Sequence, residues 1–275
     1  MLCGTPDRIG PPTPGAGARS GRARRVSGVS APADPSTDLA ALAAALDEMA
    51  AATDRLILDV DQLGDADLRE ASLLPGWTRG HVLTHVGRNA DGMVNLVTWA
   101  RTGEETPMYA GGREGRQAAI EAGAGRHIGD IRLDLNDSGE RLLGAFAGLP
   151  TEALAREVVF GSGATAYGWE LPSMRTREVE IHHVDLDCGY TPAHWSTAFV
   201  HRTLDQLAPQ FRTRGECPVG WLADTDSDQT WQTAEDGPTL AGPGSGLLAW
   251  LTGRSDGDGL DLDPAGPVPR APRWG

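Results

Sequence analysis

Four stretches with apolar residues at spacings of three and four restrict the fold more than any other feature of the chain. The first begins near Ser36, a suitable N-cap, and places Leu42, Leu46 and Met49 on one helical face. Three similar stretches follow, over residues 79–102, 128–146 and 171–188. Helices with one apolar face bury it against each other. The chain is therefore predicted to be mainly α and built on a four-helix bundle.

Shorter elements are predicted between these helices. Thr78 is a suitable N-cap for the second long helix, and Gly103 is a suitable stop. A loop is predicted over residues 105–112 and a short helix over residues 116–122. Residues 156–170 combine β-branched residues with turn residues, which indicates short strands.

A second, smaller α+β domain is predicted over residues 191–275. Residues 196–214 have a helical pattern, and residues 244–254 indicate a short helix. Three short strands are predicted between them, over residues 219–224, 229–234 and 238–242. The Gly/Pro-rich tail from Asp256 is predicted to be irregular.

Residues 1–36 differ in composition from the rest of the chain. Gly, Pro, Ser, Ala and Arg dominate them, and they contain no apolar run that suits a signal peptide or a membrane span. They are predicted to be a disordered extension, which leaves residues 37–190 for the bundle.

Charge and cysteine content narrow the range of partners. The net charge of −14 argues against nucleic acid or an anionic membrane as a partner. An anionic substrate would need local positive charge from arginine, since the chain has no lysine and hence no Schiff-base lysine. Cys3, Cys188 and Cys217 form no CxxC pair, which favours a reducing, cytoplasmic location. The chain is expected to be a monomer.

The predicted fourth helix of the bundle holds the densest group of polar residues. Glu178 and His182 are four residues apart, so a helix presents their carboxylate and imidazole at one point. Both are zinc ligand types, and Asp185 continues the same stripe. His183 points about 100° away and is expected to pack or to face solvent. Cys188 lies off the stripe and is expected to be a small buried core residue.

The second long helix could supply a further ligand, because His81, His85 and Asn89 share one face. One of these histidines with Glu178 and His182 would make a His₂Glu set. Three protein ligands leave one position open, which is the pattern of catalytic zinc. The alternative is an ordinary solvated face, on which such residues form weak ion pairs.

Two stretches of the sequence carry a resemblance to a known family. They are LPGWTRGHVLTHVGRNADGMVNLVTWARTGEETPMY at residues 74–109 and MRTREVEIHHVDL at residues 174–186. The chain resembles the mycothiol-dependent maleylpyruvate isomerase family, whose first domain is a DinB-like four-helix bundle. The resemblance runs from about Leu39 to the C-terminus, and in the second domain it rests mainly on AWLTGR and APRW.

The resemblance implies a set of functional residues. The metal ligands fall on His85, Glu178 and His182, while His81 lies at a variable position and is expected to line the helix start or to face solvent.

Four further positions follow from the resemblance. Arg254 matches a functional arginine of the family's second domain, and the resemblance implies that it acts in catalysis and in cofactor binding. Arg116 matches an arginine that follows TPMY in the family. Asp185 belongs to the VDL signature and is expected to orient His182 or a ligand. Asn89 matches an Asn of the family's helix and is assigned to the cofactor site.

The implied activity is that of an enzyme that uses Zn²⁺ and the low-molecular-weight thiol mycothiol to convert maleylpyruvate to fumarylpyruvate in aromatic catabolism. A thiolate adds to the cis double bond, the new single bond rotates, and the thiolate leaves. Arg254 and Arg116 would hold the dicarboxylate substrate.

Alternatives remain open at this point. A mycothiol S-transferase of the same superfamily would use the same ligands on another electrophile. A bundle that binds metal or a partner without catalysis would also fit. Cys188 could itself supply the thiol, although we expect that it does not.

Overall fold

The computed structural model describes residues 24–25 and 35–272. The helices before residue 190 are α1 (Pro35–Val60), α2 (Arg79–Thr102), α3 (Gly112–Ala124), α4 (Ile128–Phe146), α5 (Thr151–Leu154) and α6 (Leu171–Asp185). Helix α2 packs against α4 and α6, and α1 closes the bundle against the same two helices. The predicted four-helix bundle is therefore confirmed, with α3 lying on the outside of α2.

The helix ends agree with the predictions in some places and differ in others. Thr78 precedes α2 with an extended backbone, and Gly103 ends it with a φ of 79°. Helix α3 begins at Gly112, earlier than the predicted residue 116, because Gly111 makes the left-handed turn that starts it. Helix α6 ends at Asp185, before the predicted residue 188, because Asp187 has a φ of 52° that the helix cannot continue through.

The bundle interior contains two apolar clusters. One cluster includes Met93, Leu96, Leu142 and Leu171, all buried. The other includes Leu56, Leu83, Ile131 and Val179, also buried. Burial of each such side chain contributes roughly 1.5–3 kcal/mol relative to exposure. These contacts hold α2 and α6 side by side.

Close approach of α3 to α2 depends on two glycines. A Cβ on Gly80 would lie 2.2 Å from the carbonyl oxygen of Ala124, and a Cβ on Gly123 would lie 2.4 Å from Cγ2 of Thr84. Any larger side chain would separate the helices. The two glycines therefore fix how near α3 lies to the bundle interior.

A small sheet covers one end of the bundle. Strands β2 (Glu157–Val159) and β3 (Ala164–Tyr167) pair antiparallel, as predicted for this stretch. Strand β1 (Arg24–Arg25) pairs parallel with β3, so these two residues of the predicted disordered extension form a strand. Residues 35–36 of that extension belong to α1, and residues 1–23 and 26–34 lie outside the described residues.

The C-terminal part is an α+β unit, as predicted. It contains α7 (Thr197–Arg214), β4 (Trp221–Asp224), β5 (Thr230–Gln232), β6 (Thr239–Gly242), α8 (Gly244–Leu251) and β7 (Asp261–Asp263). The sheet order is β5-β4-β6-β7, with β4 and β6 parallel and the other pairs antiparallel.

The prediction of an irregular tail was wrong for β7. Leu262 lies opposite Leu240 in the ladder and packs against the core of this unit, which holds the tail on the sheet edge. Gly257 and Gly259, with φ values of 97° and 77°, make the turn that returns the chain to the sheet.

Helix α6 belongs to both parts of the molecule. Ile181 and Val184 are buried in the C-terminal core with Phe199 and Leu247, while Val179 lies in the bundle core. Within residues 35–272, no helix combines the length and the apolar content needed to cross a bilayer.

Candidate metal centre

One histidine of α2 and two residues of α6 converge in the bundle interior. The ligand-type atoms of His85, Glu178 and His182 all lie within 4.8 Å of one another. The two histidine Nε2 atoms are 3.1 Å apart. Glu178 Oε2 lies 3.4 Å from Nε2 of His85 and 3.8 Å from Nε2 of His182. In the part of the chain that the structure describes, no other three His, Cys, Asp or Glu side chains meet this closely.

Helix phase explains this convergence. Glu178 and His182 lie one turn apart on α6, and His85 lies on the face of α2 that packs against α6. His85 and His182 are buried, whereas Glu178 keeps 23 % of its side chain exposed. The site is therefore reached from the side of Glu178.

The buried environment sets the protonation states of these groups. Burial lowers the pKa of His85 to about 4, so its imidazole is neutral at pH 7. Burial alone would raise the pKa of Glu178, but the hydrogen bond to His85 and the nearby charges of His182 and Arg177 hold it well below its usual range. A neutral imidazole and an ionised carboxylate are the forms that bind metal.

The predicted positions Asp185 and Arg254 form a chain of contacts behind His182. The Nδ1–H of His182 donates to Asp185 Oδ2 at 2.8 Å. Arg254 donates to both oxygens of Asp185, from Nε at 3.0 Å and from a terminal nitrogen at 2.6 Å. Burial would raise the pKa of Asp185, but its bonds to His182 and Arg254 lower it. Asp185 thereby fixes the tautomer of His182 and turns its Nε2 lone pair toward His85.

Asn89 lies beside Glu178, one turn beyond His85 on α2. Its Nδ2 donates to Glu178 Oε2 at 3.2 Å, and its Oδ1 accepts from Arg175 at 2.7 Å. Arginine can only donate and a carboxylate can only accept, so the amide orientation is determined. Arg175, fully buried, also donates to the carbonyl of Val86 at 2.9 Å.

Arg116 reaches the centre from α3. A terminal nitrogen of its guanidinium lies 3.1 Å from Nδ1 of His85 and 3.4 Å from Nε2 of the same ring. The close packing of α3 on α2 thus places a cation at the edge of the ligand set. Of the two predicted arginines, Arg116 touches a ligand directly, while Arg254 touches Asp185.

Two aromatic residues beside the centre were not predicted from the sequence. Trp77 packs edge-on to the ring of His85, with centroids 5.7 Å apart. Burial and the charge of Glu178 raise the pKa of the Tyr109 hydroxyl, while Arg116 and Asn89 lower it. Both residues lie in loops, where helical periodicity carries no information. Their presence within the resembling stretch WTRG…TPMY was the one available signal.

The residues judged unsuitable as ligands lie elsewhere. His81 accepts the backbone N–H of Thr78 at 3.2 Å and so lines the start of α2, as predicted. His183 is buried and stacks on Tyr190, with centroids 3.8 Å apart. Cys188 is half-buried rather than fully buried, and burial raises the pKa of its thiol.

The donor set fits a zinc ion. Two imidazole nitrogens and one carboxylate oxygen face a common point, and the Asp185 contact leaves Nε2 of His182 unprotonated. Two histidines and one glutamate are a ligand set of catalytic zinc sites. The carboxylate–histidine pair behind such a ligand is also typical of these sites.

Comparison with known proteins identifies the family. The family model of the mycothiol maleylpyruvate isomerase N-terminal domain matches residues 49–187. A crystal structure of a mycothiol-dependent maleylpyruvate isomerase is 31% identical, with a TM-score of 0.79 over 85% of this chain and 97% of that one.

A histidine-to-alanine mutant of a mycothiol-dependent maleylpyruvate isomerase matches similarly, at 30% identity and a TM-score of 0.78, over the same shares of the two chains. No curated protein matches the chain by sequence. The expected DinB-like fold, with a four-helix bundle followed by an α+β unit, is confirmed by these likenesses. The chain belongs to the mycothiol-dependent maleylpyruvate isomerase family of enzymes.

Proposed function

We propose that this protein is a zinc- and mycothiol-dependent cis–trans isomerase that converts maleylpyruvate to fumarylpyruvate. The observation that carries the proposal is the convergence of His85, Glu178 and His182 in a chain of this family. An open His₂Glu centre next to an arginine suits a reaction between a thiol and an anionic electrophile.

His85, Glu178 and His182 would hold the zinc ion. With one position left open, zinc supplies a site that keeps a thiol sulfur in its thiolate form at neutral pH. The protein's part is to fix the ligand directions. Asp185 does this for His182, and Asn89 does it for Glu178.

Arg116 is proposed to bind the substrate's negative charge. Its guanidinium lies beside the ligand set, and it offers the planar pair of donors that suits a carboxylate. This local charge compensates for a chain whose net charge is −14. We assign Asn89 and Arg254 to the binding of mycothiol, as the family resemblance implies.

Arg254 is proposed to act mainly by positioning. Its Nε and one terminal nitrogen are engaged with Asp185, and the other terminal nitrogen donates to the carbonyl of Thr252 at 2.6 Å. A guanidinium used in this way stiffens the Asp185–His182 contact.

The test is an absorbance assay of maleylpyruvate with zinc-loaded protein, with and without mycothiol. Thiol-dependent formation of the trans product, with the thiol recovered, is expected. Accumulation of a thiol adduct would instead indicate an S-transferase. Turnover without any thiol would contradict the proposed mechanism.

The site assignment needs matched variants. His85→Ala and His182→Ala are expected to lose both zinc and turnover. His194→Ala, which changes an exposed histidine between α6 and α7, should keep both. Zinc content is measured by elemental analysis. If His85→Ala and His182→Ala both retain stoichiometric zinc, the assigned centre is wrong.

A further inference from the structure

Tyr109 lies close to the metal centre in a loop between α2 and α3. Its ring centre is 5.8 Å from the guanidinium carbon of Arg116, which contacts His85, and burial and the nearby charge of Glu178 raise the pKa of its hydroxyl. The side chain is only partly buried. A bound molecule that reaches the open side of the centre would therefore meet this hydroxyl.

The loop that carries Tyr109 is held firmly against α2. A Cβ on Gly92 would lie 3.0 Å from the Tyr109 ring and 2.9 Å from Cγ of Met108, so the loop lies where only glycine leaves room. Asn95 donates to the carbonyls of Pro107 and Met108 at 3.3 Å and 3.1 Å. The phenol is therefore placed by rigid elements, which a group with a fixed role in a reaction requires.

Arg116 leaves the Tyr109 proton available. The guanidinium carbon lies 5.8 Å from the centre of the Tyr109 ring. A guanidinium can only donate, so it does not accept the phenol's proton. The O–H can therefore be directed to an oxygen of a ligand.

Resting on the proposed function, we propose that Tyr109 is a catalytic residue that donates a hydrogen bond to the carbonyl oxygen conjugated with the substrate's double bond. Arg116, a permanent cation with a planar fork, suits a carboxylate. A neutral phenol suits a ketone oxygen, which gains negative charge only during the reaction. The two donors would thus recognise two different groups of one dicarboxylate.

The reaction balances without any further reagent. The mycothiol thiolate forms a carbon–sulfur bond to one carbon of the substrate's double bond. The π electrons of that double bond move to the conjugated carbonyl, which becomes an enolate. The carbon–carbon bond, now single, rotates. The electrons return, the double bond re-forms as trans, and the carbon–sulfur bond breaks. Tyr109 keeps its proton throughout and stabilises the enolate oxygen by hydrogen bonding.

The test is Tyr109→Phe, which keeps the ring and removes only the hydroxyl. Removal of one such donor is expected to lower kcat by about 10²-fold or more. KM and zinc content should stay within about threefold of wild type, because the ligands are untouched. Unfolding temperature is measured in parallel to verify the fold. Tyr190→Phe, which removes a buried hydroxyl on the other side of α6, is the matched control and should leave kcat unchanged.

A second variant tests the position of the loop. Gly92→Ala should displace Tyr109 and lower kcat while zinc content is kept. If wild type turns over and Tyr109→Phe matches its kcat, or changes KM alone, the role of Tyr109 is overturned while the proposed function stands. If wild type itself shows no thiol-dependent turnover, the proposed function fails instead.

Discussion

The two sides of α6 carry the same residue types in different surroundings. On the side of the metal centre, Glu178 and His182 face His85, and the histidine Nε2 atoms approach to 3.1 Å. On the opposite side, Glu180 and His183 face α1 and the segment after α6. The adjacent histidines at 182–183 are distinguished in the sequence only by the helix period, which turns their side chains about 100° apart.

Glu180 and His183 both have protein partners. Glu180 accepts from Arg55 and from the hydroxyl of Tyr190. His183 bonds to Asp59 at 2.8 Å. By contrast, the centre brings two imidazole nitrogens and a carboxylate oxygen within 4.8 Å of one another. Chemistry is therefore indicated where several metal-ligand atoms converge on one point, which Glu180 and His183 do not do.

The strongest test of this comparison replaces one glutamate on each side of α6 with glutamine. Glu178→Gln should lose zinc and all detectable turnover, because an amide is a weak zinc ligand. Glu180→Gln should keep zinc but lose about 1–3 kcal/mol of stability, because it weakens buried bonds to Arg55 and Tyr190. Elemental analysis and urea unfolding measure the two effects. Equal zinc content in both variants would contradict the assignment.

The next test concerns the aspartates behind the two histidines. Asp185→Asn should weaken zinc binding by about 10–100-fold, since it weakens the contact that orients His182. Asp59→Asn, which alters the corresponding contact of His183, should leave zinc affinity unchanged. Competition with a chelator measures both affinities. A similar loss in the two variants would mean that the Asp185 contact has no special role.

A smaller effect is expected from pH. Burial lowers the pKa of His183 to about 4, although its bond to Asp59 opposes this. An unfolded histidine titrates near pH 6.5, so between about 6.5 and 4 the unfolded chain binds the extra proton and stability falls as pH falls.

His183→Gln should flatten this dependence by up to about 1.4 kcal/mol per pH unit. Urea unfolding of metal-free wild type and variant across that pH range measures the two slopes, and the His85 contribution is common to both. Parallel slopes would show that His183 does not titrate in this way.

The smallest effect is expected at Cys188. Burial raises the pKa of its thiol, so we do not expect Cys188 to supply the reacting thiol. Cys188→Ser should leave kcat within about twofold of wild type, still dependent on mycothiol. Loss of turnover in this variant would return the protein cysteine to the mechanism.

The convergence of His85, Glu178 and His182 could be predicted in part from the sequence, because it depends on the helix period. Glu178 and His182 share a face of α6 at a spacing of four, and His85 lies on the packed face of α2. Periodicity left His81 and His85 as alternatives, and the family resemblance favoured His85. Helix α4 was also predicted at its observed ends, since it is strongly amphipathic.

The contacts around these three residues were harder to predict from the sequence. The bond between Asp185 and Arg254 joins residues 69 positions apart, and no local pattern encodes such a pairing. Tyr109 is placed by the fit of a loop on Gly92, which depends on tertiary packing. Strand β7 forms because Leu262 finds the edge of β6, and the Gly/Pro-rich tail hides this from a local prediction.

Because α6 packs in two hydrophobic cores, the position of a truncation matters for this protein. The family model ends at residue 187, so a fragment cut there would keep every proposed zinc ligand. That fragment would expose Ile181 and Val184 to water and would lose Arg254, which supports Asp185. We therefore expect the smallest piece with all the proposed ligands to be less stable than the full chain. Gene fusions and recombinant truncations should retain the C-terminal unit.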